Sequence, residues 1–284
     1  MKSVSSTENN VLTIQTIQIA PIRQLMSSLK EILVETNITF KADGIRIINM
    51  DKSHTMVVHM FLAAEKFDFY ECKKEKIIIG VNVSHLQKLI NTIENNDTLT
   101  LYIENCDYTD GIVKFLTLKY ENGNIKQCKT QKLLLIEPEL EELEFPNVYY
   151  SSIINMPSVD FQKIIRDLSA ISDFLEIKSV GNELIFKCQG NFASAEIHRT
   201  ESDGSNNEDG NKVMQFVLKQ DLSKVIQGKF SLKNLGYFIK CTNLCSQIEL
   251  YLENNLPLVV KYDVADLGEI KLCLALHDEC SNNL

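Results

Sequence analysis

Leu99-Thr-Leu-Tyr-Ile-Glu104 and Ile248-Glu-Leu-Tyr-Leu-Glu253 carry nearly the same alternating pattern. Each follows a short helical pattern, at residues 83–92 in the first half and 231–240 in the second. A second echo supports the first. The helical run 21–34 leads into strand, turn and strand over 38–48, with its turn at Asp43-Gly44, and 157–172 leads likewise into 175–186 through Gly181-Asn182. The offset is 136 residues for one pair (21 to 157) and 147 for the other (84 to 231). The difference of 11 matches the polar stretch 201–211, which reads as a loop inserted in one copy only. One fold is written twice, and duplication constrains architecture more than any single motif here.

A chain of 284 residues has length for about two ordinary domains, each able to bury its own core. The apolar fraction of 44% and the charged fraction of 24% are those of a soluble globular protein. No run of 18 apolar residues predicts a membrane span. The polar first twenty residues predict no secretory signal. Eight scattered cysteines, several within strand patterns, read as free thiols rather than disulfides. Cys241 and Cys245 form a lone i, i+4 pair with no histidine near in sequence, so no metal site is expected and no cofactor is implied. Net charge is −9. Taken alone it argues against nucleic acid, but the position of the charges decides.

Strand patterns fall at residues 11–19, 38–41, 45–50, 56–62, 67–72, 77–81, 98–104, 112–120 and 126–135. The second half repeats them at 149–156, 175–179, 183–189, 193–199, 212–218, 248–252, 258–264 and 268–276. They alternate and are bounded by Gly, Asn or Asp, as in antiparallel meanders. With about four strands per helix and no strand–helix alternation throughout, the class is α+β. The expected division is a first domain at 11–135, a connector at 136–147, a second domain at 148–277, and polar tails at 1–10 and 278–284. The connector Ile136-Glu-Pro-Glu-Leu-Glu-Glu-Leu-Glu-Phe-Pro146 is proline-bounded, acidic and extended. It is either an ordinary solvated linker or, through Leu140, Leu143 and Phe145, one wall of a binding site.

Each of the four helices puts at least one base on its polar face. Arg23 and Lys30 oppose Ile22, Leu25, Met26 and Leu29 in the first helix, and Lys88 lies opposite Leu86, Leu89 and Ile90 in the second. Lys163 and Arg166 share a face in the third, and Lys233 and Lys240 are two turns apart in the fourth. Two lysines on one helix signify solubility and little else. Four such helices in a duplicated acidic chain, lining one concave surface, would attract phosphate without reading sequence.

Helix–strand–turn–strand units in tandem, with Asn49-Met-Asp-Lys-Ser-His54, Gly80-Val-Asn-Val83, Met156-Pro157, Arg166-Asp-Leu-Ser169, Pro257-Leu-Val-Val260 and Ala265-Asp-Leu-Gly268, resemble the proliferating cell nuclear antigen family of eukaryotic-type sliding clamps. The resemblance runs from Leu12 to Ala275 apart from the 201–211 insertion. It implies duplicated clamp domains, with antiparallel sheets outside and two helices per domain lining a central hole. It further implies a homotrimeric ring in the nucleus that encircles double-stranded DNA and tethers DNA polymerase, the clamp loader and other replication and repair proteins. By similarity the DNA-facing residues are Arg23, Lys30, Lys88, Lys163, Arg166, Lys233 and Lys240. The family often has further bases where this chain has Gln24, Asn91 and Ala170, which implies a weaker attraction here.

The resemblance also implies a pocket for short partner peptides at Met50, His54, Val57, Leu143, Phe145, Pro257, Cys273, Ala275 and Leu276. The family commonly has tyrosine at Cys273 and proline at Leu276. Its ubiquitin-accepting lysine falls in the turn Val180-Gly181-Asn182, which has none. Subunits of the family join through the edge near 124–132 and that near 192–199. The alternative within this fold is a subunit of a heterotrimeric checkpoint clamp. An enzyme, such as a thiol-dependent hydrolase, is not expected: no serine or cysteine has a matching histidine and carboxylate, and no glycine-rich phosphate loop is present.

Overall fold

In the computed structural model the described residues are 9–51, 53–138, 148–201, 213–219 and 224–277. They fall into two compact units. One takes the described parts of Met1–Asn49, His59–Phe145 and Val264–Glu269, and the other those of Met50–Val58, Pro146–Asp263 and Ile270–Leu284. Two short segments thus belong to the unit opposite their neighbours in sequence.

The first unit runs β1 (Asn10–Thr16), α1 (Ile19–Ile32), β2 (Glu35–Lys41), β3 (Gly44–Met50), β4 (Met56–Ala63), β5 (Phe69–Cys72), β6 (Ile77–Asn82), α2 (Val83–Ile90) and β7 (Thr98–Glu104). A two-residue pair, β8 (Tyr108–Thr109) and β9 (Ile112–Val113), precedes β10 (Phe115–Asn122) and β11 (Gln127–Leu134). The second unit runs β12 (Ser152–Pro157), α3 (Ser158–Ser169), β13 (Phe174–Val180), β14 (Glu183–Gln189), β15 (Ser194–Thr200), β16 (Gln215–Lys219), β17 (Ile226–Ser231), α4 (Leu232–Phe238), β18 (Gln247–Leu252), β19 (Leu258–Val264) and β20 (Gly268–Leu274).

The duplication extends to strand order. In the first unit the sheets read β11-β10-β7-β1-β5 and β6-β2-β3-β4, and in the second β20-β19-β18-β12-β16 and β17-β13-β14-β15. Element by element these are the same arrangement, with β8 and β9 as the one addition among the described residues. Helices α1 and α2 pack together in the first unit and α3 and α4 in the second. Their apolar faces (Ile19, Ile22, Leu25, Met26 and Leu29 on α1; Phe161, Ile164, Ile165 and Leu168 on α3) are buried, each large side chain contributing about 1.5–3 kcal/mol. Equivalent helices also start alike. Asn82 accepts the His85 N–H at the head of α2 (3.1 Å), and Ser231 accepts the Asn234 N–H at the head of α4 (3.4 Å), the side-chain caps expected there.

Two expectations need correction. The helix expected at 231–240 ends at Phe238 and continues as a 3-10 helix over Ile239–Leu244, so Lys240 sits on a tighter coil than Lys233. The pattern at 112–120 is interrupted at Lys114, where β9 ends before β10 begins. Strand β17 had no counterpart in the pattern reading. No helix among the described residues is long and apolar enough to cross a membrane.

Sheet edges are treated in parallel too. Beside β6, the Ile136 N–H donates to the Gly80 carbonyl (3.0 Å); beside β17, the His277 N–H donates to the Lys229 carbonyl (2.8 Å). The longest edges with no strand beside them among the described residues are β11 and β15, of eight and seven residues.

Candidate functional site

The sheet faces fix which way the helices turn. Because α1 to α4 bury their apolar stripes, their polar sides are left outward. Lys30, Lys88, Lys163, Arg166, Lys233 and Lys240 are all exposed. Lys30 lies 3.8 Å from Glu31. Lys88, Lys163, Arg166 and Lys233 have no ion pair among the described residues. They are positioned as solvated cations able to meet a mobile anion.

Arg23 behaves differently. One guanidinium nitrogen donates to the Asn95 side chain at 2.8 Å and the other to the Ile93 carbonyl. The half-buried side chain ties α1 to the loop after α2, and its charge reaches solvent less freely than those of the lysines.

Of the residues matched to the peptide pocket, Met50, His54, Val57, Pro257, Cys273, Ala275 and Leu276 belong to the second unit. The segment 51–56 turns about Asp51, whose carboxylate accepts N–H bonds from Thr55 (2.7 Å), Met56 (2.5 Å) and Ser53 (3.3 Å), and the hydroxyls of Ser53 and Thr55. Partial burial pushes this carboxyl up, but the bonds from Ser53, Met56 and Thr55 outweigh it and hold its pKa below the ordinary value. The turn sets His54 in the left-handed region (φ 56°) with its ring exposed. The Thr55 carbonyl accepts the Ala275 N–H (2.9 Å), and the Asn234 amide reaches the Thr55 hydroxyl (3.2 Å). The loop is thereby held to the strand end that carries Cys273, Ala275 and Leu276.

On the other side, the Tyr150 hydroxyl donates to the Pro257 carbonyl (3.1 Å), and its ring meets that of Tyr251 edge-on at 5.7 Å. Cys273 is buried, which pushes its thiol up to about 12. It stays protonated and acts as a small apolar group. Met50, Val57, Pro257, Ala275 and Leu276 are half-buried. Leu143 and Phe145 lie outside the described residues. Asp51, Tyr150 and Asn234, which hold these segments, are not among the residues the resemblance placed in the pocket, although Asp51 lies in the motif 49–54. Asp51-x-Ser53 was the available signal, since aspartate two residues before a serine favours a side-chain-closed turn.

The one grouping of possible metal ligands among the described residues is Glu104, Cys106 and Asp107. The Lys132 ammonium already sits against it, 3.3 Å from Glu104 and 3.2 Å from Asp107.

The family model described as "Proliferating cell nuclear antigen, N-terminal domain" matches residues 12–142, and the one described as "Proliferating cell nuclear antigen, C-terminal domain" matches 144–277. The chain is also 31% identical over 273 residues to the "Probable DNA polymerase sliding clamp 1" of Paramecium bursaria Chlorella virus 1, an alignment covering 94% of this chain and 97% of the viral one. With two matched halves of one architecture and an aligned relative of nearly equal length, the chain belongs to the proliferating cell nuclear antigen family of sliding clamps, which are not enzymes.

Proposed function

We propose that three copies of this chain close into a ring around duplex DNA, and that the ring tethers polymerases and other replication and repair proteins through short peptides. The observation that carries this reading is the doubled architecture: each unit presents basic helices, and the two long open edges, β11 and β15, lie one in each unit. Head-to-tail pairing of unlike edges generates a ring when the rotation closes, and it removes two strands that would otherwise template aggregation. Lys30, Lys88, Lys163, Arg166, Lys233 and Lys240, with Arg23 in a tethered role, then face the phosphates. Screening over about 8 Å at physiological salt leaves their hold weak, which suits a body that must slide.

In this reading Met50, His54, Val57, Pro257, Cys273, Ala275 and Leu276, with Leu143 and Phe145 of the connector as the remaining wall, accept the apolar side chains of a partner peptide. The protein works where DNA is replicated, the nucleus or a viral replication compartment. The test is the solution mass of the purified chain by light scattering. A mass of three chains is expected; a chain monomeric at every concentration overturns the reading, and one that assembles only with different chains marks a heterotrimeric checkpoint clamp instead.

A further inference from the structure

After β11 the chain is handed from one sheet of the first unit to the other within two residues. The Leu135 N–H donates to the carbonyl of Lys114, just before β10, at 3.1 Å, and the Ile136 N–H donates to that of Gly80, on β6, at 3.0 Å. Ile136 and Gly80 form a single antiparallel bridge. A Cβ built on Gly80 would stand 2.7 Å from the Ile136 carbonyl oxygen, 2.9 Å from Ile136 Cγ1 and 3.0 Å from the Glu137 carbonyl oxygen. Two of these are backbone atoms, which no rotamer change moves aside. The φ of Gly80 is not in the left-handed region, so its own backbone suits an ordinary side chain. What forbids one is the start of the connector.

The second unit supplies the control. Lys229 stands three residues before α4 as Gly80 stands three before α2, and its carbonyl likewise accepts an N–H from the chain beyond the last strand, that of His277. Lys229 nevertheless keeps a full side chain, with its ammonium 5.5 Å from the centre of the Phe174 ring. An edge strand that receives such a bond therefore has no need of glycine. The need arises in the copy whose departing chain is the connector.

Resting on the tethering reading above, we infer that Gly80 is the positioning residue of the connector: it seats Ile136 and Glu137 against β6 so that Leu143 and Phe145 are delivered to the partner peptide. Those two residues follow Ile136 by seven and nine positions, so the place and heading of the chain at the bridge govern where they can reach. A heading set in advance lowers the ordering that binding a partner would otherwise impose. A side chain at position 80 lifts the 136–137 backbone off β6 and loses both the bridge and that saving.

The experiment loads the full chain on primed circular DNA with a replicative DNA polymerase of the same source. It reads the polymerase concentration that half-saturates processive synthesis. Gly80→Ala adds the methyl; Ile136→Pro removes the N–H donor from the other side of the bridge and leaves Gly80 in place. Each is expected to raise the half-saturating concentration roughly tenfold, with full processivity recovered at high polymerase, as weaker capture requires. The double change should cost no more than the larger single, because both act on one bridge. Ring mass by light scattering should match the parent throughout. Half-saturation unchanged in either single, effects that add in the double, a loss that added polymerase does not recover, or a changed ring mass overturns the inference and leaves the tethering reading standing. A parent that supports no processive synthesis overturns the tethering reading itself.

Discussion

Glu253 joins segments that sequence spacing cannot connect. It accepts from the Ser151 N–H (3.0 Å) and hydroxyl, the Asn254 N–H (3.0 Å) and the Lys224 ammonium (2.9 Å). Burial pushes its carboxyl up, but the bonds from Ser151 and Lys224 prevail and bring its pKa down to about 2, against an ordinary 4.5. A carboxyl depressed in the folded chain adds stability that is complete above its unfolded pKa and is lost as pH falls through the folded one. Glu253→Gln should therefore lower stability at pH 7 by about 1–3 kcal/mol. Urea unfolding of parent and variant should show the gap narrowing below pH 4.5 and nearly closed at about pH 2. A gap unchanged by acid would exclude the carboxylate as its source. Asp51 gives a second residue-scale case. Asp51→Ala should leave three backbone N–H groups without their acceptor and, on the proposed peptide pocket, weaken capture of a labelled partner peptide by about 1–3 kcal/mol. A titration with unchanged affinity would detach the loop from that surface.

Among the elements, α4 is the weakest by its own sequence. It spans seven residues and carries Gly236 in its interior. A Cβ built on Gly236 meets nothing within 4 Å, and its φ is not in the left-handed region. Gly236→Ala should stabilise the chain by about 0.5–1 kcal/mol, read as a raised urea midpoint at constant slope; a loss of stability would mean that the helix needs the missing side chain. The same element shows what sequence could and could not reveal. Strands β7, β14 and β19 match the alternating pattern to the residue, because apolar alternation reports a half-buried sheet directly. The tighter coil after Phe238 was invisible, since 3-10 and α-helical spacing differ little over one turn. Strand β17, Ile226-Gln-Gly-Lys-Phe-Ser231, alternates, but its middle inward position is Gly228, where a Cβ would have to displace the Phe230 ring and the Leu276 side chain (2.5 and 2.8 Å), so only two of its residues are apolar. The repeat was the missed signal: β6 leads straight into α2, so a strand had to lead into α4. For the site, helical spacing exposed the lysines, but the tie from Arg23 to Ile93 and Asn95 depends on a loop about seventy residues away. No local pattern encodes that.

At the scale of the whole molecule the question is how a chain of net charge −9 keeps hold of a polyanion. Adhesion by phosphate contacts would make binding collapse with salt, the logarithm of affinity falling by about 0.9 for each contact per tenfold rise in salt concentration. Enclosure predicts something else. A closed ring threaded on circular DNA should persist through gel filtration at a salt concentration that strips the unthreaded chain, and a single cut in the circle should release it from the ends. On the proposed ring, Lys88→Ala, Lys163→Ala and Lys240→Ala should slow loading and lower polymerase processivity, because they would remove attraction that guides DNA into it. They should leave both trimer mass and retention on the closed circle unchanged, because topology does not depend on those charges. Retention that falls with salt on the intact circle, or with each lysine removed, would show that the grip is adhesive and that the basic helices do more than line a passage.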